Sequence, residues 1–276
     1  MTKLIEPPQG AVPDETVSNG CFETMRAYAG RIFRLDSHLD RLYGSAQYLG
    51  TRIPSDRRQL GRQLTSALQR SGLKDAVVRV ALMPRGDATA WPSIVVQPAV
   101  RPPASAYRKG LRIAVVPSRK CSVGIISPQA KYSARLSSVL AVMEAQLRGV
   151  DEALFMDDVG GVTESTASNF GMVAEGIIVT PPCWLGLLAG ITRDVLFELA
   201  EELHLPIQER PLTRHDLYNA DEAFLTSTLK EVMPVTVIDG RRIGTGRPGP
   251  ITKRLNRAFR RLVQKELQLP RRSRHV

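Results

Sequence analysis

Hydrophobic spacing along this chain alternates between the three-to-four-residue period of helices and the compact apolar runs of strands. In HLDRLYGSAQYL the apolar positions fall on one helix face, with Asp36 ahead of them as a cap and Gly50 behind, which predicts a helix over 36–50. Ser55 or Asp56 opens a second helix over 55–71, and Gly72 stops it. AVVRVALM (76–83), SIVVQPAV (93–100) and LRIAVVP (111–117) are rich in β-branched residues and bounded by Gly, Pro and Asp, as strands are. Further on, SARLSSVLAVMEAQLRG reads as an amphipathic helix entered from Lys131-Tyr132. EALFMDDVGGVTES folds back through Gly160-Gly161, and FGMVAEGIIVTPP continues as strand. TRDVLFELAEELH (192–204) has helical spacing, EAFLTST and PVTVIDGRRIG supply strands with a turn at Asp239-Gly240, and a last helix covers 249–267. Strands and helices mix without regular βαβ alternation, which predicts an α+β fold in two domains. Clustered prolines make 98–110 the natural linker region. The domains are expected as 1–105, small and N-terminal, and 118–276, large and C-terminal, with 106–117 connecting them.

At 276 residues and 43% hydrophobic content, the chain can bury substantial cores. No apolar run approaches the roughly 18 residues of a membrane-spanning helix, and MTKLIEPPQGAVPDE lacks an apolar signal region, so a cytoplasmic protein without membrane association is expected. Cys21, Cys121 and Cys183 lie far apart without metal-type spacing and read as reduced packing residues, with no metal site. The net charge of +11 raises the question of polyanions. Residues 251–276 carry nine Lys or Arg against Glu266 alone, so the excess is mostly C-terminal. Without interleaved aromatics or a nucleic-acid-binding motif, this reads as a solvated helix face and tail, and no nucleic-acid partner is expected.

The candidate chemistry centres on Lys131 in QAKYSARL, followed 33 residues later by Glu164 in GGVTESTASNFGMV. A lysine amine can form a Schiff base with an aldehyde cofactor, and a carboxylate can keep a pyridine nitrogen protonated, which makes the ring an electron sink. Three further stretches fall in order around these two: GCFETMRAYAGRIFRLDSHLDRL (20–42), LLAGITRDVLFELA (187–200) and DLYNADEAFLTSTLKEVMPVTVIDGRRIGTGRPGPITKRL (216–255). Together they resemble the fold-type IV pyridoxal-phosphate enzymes, the family of branched-chain and D-amino-acid aminotransferases and aminodeoxychorismate lyase.

The resemblance implies a role for each matching residue. Lys131 would be the catalytic lysine, binding pyridoxal 5'-phosphate and moving a proton at the substrate's Cα. Glu164 would face the ring nitrogen, and Leu188 would pack on the ring. Arg41, Ile191 and Thr192 after Gly190, and Thr228 would hold the phosphate, the helix opened by Gly190-Ile191-Thr192 adding its N–H groups. Taken alone, Arg41 reads as a surface partner of Asp36 or Asp40. Phe22 and Arg26 match substrate-lining positions, and the turn Thr228-Leu229-Lys230 matches the one that receives the substrate carboxylate. Leu229 and Lys230 are larger than the small residues usual there, Ala134 stands where asparagine is more frequent, and the first domain's usual substrate motifs are absent. The implied activity is transfer of an amino group between an amino acid and a 2-oxo acid, with pyruvate elimination from aminodeoxychorismate as the alternative. The same resemblance implies a homodimer.

Overall fold

The computed structural model describes residues 20–84, 87–119, 127–133 and 136–268. Two compact units divide the chain: Met1–Val100 with Ala130–Ala134 and Leu262–Val276, and Arg101–Gln129 with Arg135–Arg261. Cys121, Ala134 and the tail cations Arg271, Arg272 and Arg274 lie outside the described residues.

In the first unit, β1 (Cys21–Tyr28), β2 (Arg31–Ile32), β3 (Ala76–Leu82) and β4 (Pro92–Pro98) form an antiparallel sheet in the order β2-β1-β3-β4. Helices α1 (Leu35–Tyr48) and α2 (Arg57–Ser71) supply the apolar residues that pack on one face of it. Alternation along β1 sends Cys21, Met25 and Ala27 into that core with Leu39, Leu42, Leu60 and Leu64. Phe22, Thr24 and Arg26 therefore take the other face. The ends of α2 follow the sequence reading: Asp56 accepts the Gln59 N–H at 2.7 Å, and Gly72 closes the helix at φ 69°. The start of α1 does not. Arg34, in the left-handed conformation at φ 53°, stands at the cap, and Asp36 lies within the first turn. Arg34 is tied down at its far end, where its guanidinium reaches Glu266 at 2.5 Å.

The second unit is built on a nine-stranded sheet. Its strands are β5 (Leu111–Val115), β6 (Glu152–Met156), β7 (Val162–Ser165), β8 (Asn169–Ala174), β9 (Ile177–Thr180), β10 (Ile207–Glu209), β11 (Glu222–Ser227), β12 (Glu231–Ile238) and β13 (Arg241–Arg242). They run β10-β9-β8-β11-β12-β5-β6-β7, with β13 on β12 and a further pairing of β7 to β8 that closes the central strands into a ring. The closing pair is Glu164 opposite Asn169. Its core holds Ile113, Leu154, Phe170, Met172, Leu225 and Val235. Helices α3 (Ala104–Lys109), α4 (Leu136–Leu147), α5 (Ile191–Glu202), α6 (Arg214–Tyr218) and α7 (Pro250–Glu266) complete the description, α7 passing into the first unit at Leu262.

Residues 106–117, expected as connecting chain, contain the end of α3 and all of β5. Pro103 sits at the helix cap, where a missing N–H costs nothing, and LRIAV has its last three residues buried between β12 and β6. The short α6 was not anticipated; Thr213 and Asp216 form a capping box around its first turn.

Candidate active site

The predicted residues fall into two groups, one in each unit. In the first unit, Lys131 precedes α4 by five residues and is half-buried in extended chain that adds to the β1 edge. The Phe22 N–H donates to the Lys131 carbonyl at 3.0 Å, and the Lys131 N–H donates to Ser45 Oγ at 3.0 Å. Ser45 in turn donates to the Arg41 carbonyl at 2.8 Å, so a buried serine on α1 links the backbones of two predicted residues. The Lys131 ammonium lies 4.9 Å from the Phe22 ring centre, which also carries Arg79 at 4.6 Å.

Arg41 is no surface residue. Its Nε and a terminal nitrogen donate to the two oxygens of Glu23 at 2.6 and 2.9 Å, while Asp40 pairs with Arg57 instead. Glu23 is fully buried, and its Oε2 also meets His38 Nδ1 at 2.8 Å. Burial alone would raise the Glu23 carboxyl; the Arg41 charge and hydrogen bonds from His38 and Arg41 overcome it and hold the group at about 2. Burial pushes His38 down, with Arg41 and Lys131 acting the same way against Glu23. Neither Glu23 nor His38 was singled out from the sequence. The signal available was a carboxylate on the core-facing register of β1. Arg26, on the opposite register, reaches Asp75 at 3.4 Å and stacks on Tyr28, and its Nε is buried without a partner among the described residues.

In the second unit, Glu164 is 5% exposed, and its Oε2 accepts from Asn169 Nδ2 and from the Leu188 N–H, each at 3.0 Å. Asn169 also donates to the Leu188 carbonyl at 2.8 Å, so the predicted carboxylate and the predicted ring-packing leucine share one anchor. The amide oxygen of Asn169 closes against Gly190, where any Cβ would collide with it. Gly190 is the cap of α5 and offers its first turn no side-chain oxygen, leaving the N–H groups at Ile191 and Thr192 to another acceptor. Both of those residues are buried. Thr228 and Leu229 are half-buried in the three-residue turn between β11 and β12.

A phosphorylated pyridine fits these donors on the structure's own terms. A helix N-terminus without a side-chain cap, a buried Thr192 hydroxyl and a fixed buried carboxylate are the groups such a molecule needs. The hydroxyls of Ser165 and Ser168, at the turn after Glu164, are buried with no partner among the described residues, as in a site meant for a polar ligand.

The family model for class IV amino-transferases matches residues 20–238. A Methanocaldococcus jannaschii protein provisionally named a branched-chain-amino-acid aminotransferase is 40% identical over 248 residues, covering 88% of this chain and 86% of its own. The D-alanine aminotransferase of Bacillus licheniformis is 33% identical, covering 90% and 89%. Among solved structures, the branched-chain amino acid aminotransferase of Thermobaculum terrenum in its PLP-bound holo-form superposes with a TM-score of 0.82 at 29% identity, covering 89% of this chain and 85% of that one.

Proposed function

Because this chain belongs to the class IV aminotransferases, pyridoxal-phosphate enzymes of fold-type IV that move an amino group between an amino acid and a 2-oxo acid, we propose that Lys131 is its covalent and proton-transfer residue and Glu164 the partner of the cofactor's ring nitrogen. The observation that carries this reading is the fixation of Glu164: a buried carboxylate held by two donors in one position is built to meet a cation. When bound, the cofactor supplies a protonated ring that draws in the electron pair left as a proton departs from the substrate's Cα. Lys131 takes that proton, its backbone fixed at both ends by Phe22 and Ser45. Arg41, Thr192, Thr228 and the N–H groups opening α5 hold the phosphate, and Leu188 covers the ring. Glu23 and His38 act behind Arg41, fixing its guanidinium.

On the substrate side, Phe22, Arg26 and Leu229 are the candidate lining residues, and Thr228 and Leu229 the turn that receives the carboxylate. Lys230, the cation in that turn, is committed to Glu152. This supports an apolar amino donor over an acidic one, in keeping with the branched-chain names of several relatives. Pyruvate elimination has no such support. A homodimer is favoured by α4: Leu136, Val139, Leu140, Met143 and Leu147 form an exposed apolar stripe, with Leu147 88% exposed, opposite the buried Ala141 and Ala145. Among the described residues, no helix is long and apolar enough to cross a membrane.

Borohydride reduction of the cofactor-loaded protein, followed by peptide mapping, tests the assignment. The modified lysine should be Lys131; attachment at another lysine, or none after reconstitution, overturns it.

A further inference from the structure

The two loops that follow Glu164 and Thr228 are tied together by a carboxylate far from both in sequence. Glu152, the first residue of β6, is buried. Its Oε1 accepts the Thr166 hydroxyl, two residues past Glu164. Its Oε2 receives the Lys230 ammonium, two residues past Thr228. Thr166 is itself buried, and the lysine's charged end is mostly so.

The turn is secured elsewhere as well. The Lys230 N–H donates to Ser227 Oγ at 3.2 Å, and its carbonyl accepts from the Tyr107 hydroxyl at 3.0 Å. Arg260 stacks on the Tyr107 ring at 4.8 Å and reaches Glu231 at 2.8 Å. Of all these contacts, the carboxylate of Glu152 alone joins this turn to the loop of Glu164.

We infer that Glu152 is a positioning residue of the transamination site, its single carboxylate setting the Glu164 loop and the Thr228 turn in register with each other through Thr166 and Lys230. The inference rests on the reading that these two loops hold the cofactor. Such a device adds a side-chain link to the strand ladder that runs from Glu164 through Asn169 to Thr226. Glu164 and Thr228 would hold opposite ends of one rigid molecule, and an error in either loop is felt at the other. Lys230 is also larger than the residue expected at its place, and pairing with Glu152 gives its long side chain a use that leaves the substrate side of the turn without a loose charge.

The test is a double-substitution cycle read as cofactor affinity, by absorbance titration of the apoprotein with pyridoxal phosphate. Thr166→Val and Lys230→Met should each weaken binding by about tenfold, the scale of one hydrogen bond to a charged group. Because both act through Glu152, the double variant should lose less than the product of the two. In a Glu152→Gln background, which preserves side-chain volume, the two effects should become multiplicative. The charge-swapped pair Glu152→Lys with Lys230→Glu should recover part of the affinity that Glu152→Lys alone removes, a rescue that loss of general stability cannot produce. Multiplicative effects in the unaltered background, with normal cofactor binding by the unaltered protein, overturn this inference and leave the functional reading standing. Failure of the unaltered protein to bind the cofactor overturns both.

Discussion

Glu23 and Arg41 face each other as a two-pronged ion pair, guanidinium nitrogens 2.6 and 2.9 Å from the two carboxylate oxygens, in the interior of the first unit. A buried pair of this kind is a poor source of net stability but a strong constraint, since neither member tolerates loss of the other. It gives Arg41 one orientation before any anion arrives.

Removing the carboxylate should therefore be costly. Glu23→Gln is expected to destabilise the protein by about 3–5 kcal/mol at neutral pH, measured by urea unfolding, because a buried guanidinium loses its counter-charge. Acid dependence gives an independent check. The folded-state carboxyl of Glu23 at about 2 lies below its ordinary 4.5, so its contribution is fully present above 4.5 and is lost as pH falls towards 2. His38, held below 6.5 in the folded state, takes up protons first in the unfolded chain and also weakens the fold as pH drops. Stability of Glu23→Gln should thus fall less steeply than that of the unaltered protein between pH 4.5 and 2.

Glu164→Gln should keep the fold, since an amide oxygen can accept from Asn169 and Leu188 as the carboxylate does. The lost charge should appear in turnover. A hydrogen bond to a charged group is worth about 1.5–3 kcal/mol, so kcat is expected to drop by about ten- to a hundredfold with melting temperature nearly unchanged. An unchanged kcat would remove Glu164 from its role.

Thr192→Val deletes a buried hydroxyl at the start of α5 and replaces it with a side chain of the same shape. Cofactor affinity should weaken by about tenfold or more, and Thr228→Val should do the same through the second proposed phosphate contact. Equal affinity in Thr192→Val would place the phosphate elsewhere.

Transamination makes a kinetic prediction that pyruvate elimination does not share. Amino acid added without acceptor should change the absorption of the loaded enzyme and stop after one equivalent, and a 2-oxo acid should reverse the change. Steady-state rates should follow a ping-pong pattern. Branched-chain donors should exceed aspartate or glutamate in kcat/KM; the reverse order would contradict the pairing of Lys230 with Glu152 as the reason the turn carries no available cation.

The apolar stripe of α4 should disappear into an interface. Val139→Lys combined with Met143→Lys is expected to shift the protein from dimer to monomer in sedimentation velocity and to lower activity with it, since a stable dimer needs roughly 800 Å² of well-packed surface per partner. A monomeric unaltered protein would refute the assembly.

Much of this was legible from short-range chemistry. Asp56 and Gly72 mark their helix because a cap acts within three residues, and Gly160-Gly161 marks its hairpin for the same reason. The order of Lys131, Glu164, Gly190 and Thr228 pointed to the cofactor, and the structure adds how Glu164 is held. What escaped was set by distance along the chain. Glu23 reads as an unremarkable strand residue until α1 brings His38 and Arg41 onto it. Arg34 starts α1 without a capping side chain, held by Glu266 from the far end of the sequence. Lys230 reads as an oversized pocket residue, and only its distant partner Glu152 shows where the side chain goes. The prolines before α3 stand where the two units part, between Val100 and Arg101, and Pro103 caps the helix that follows.

The ring of strands closes where Glu164 pairs with Asn169, and the two side chains are bonded to each other across the seam. Opening that seam would cost a ladder pairing, the anchor of Leu188 and the packing against Gly190 at once, so its amides should be among the last in the second unit to exchange with deuterium. The carboxylate proposed to face the ring nitrogen thus sits where the ring of strands closes. New substrates are better sought by redesigning the proposed lining residue Leu229, which lies in the turn beyond the last pairing of β11 with β12.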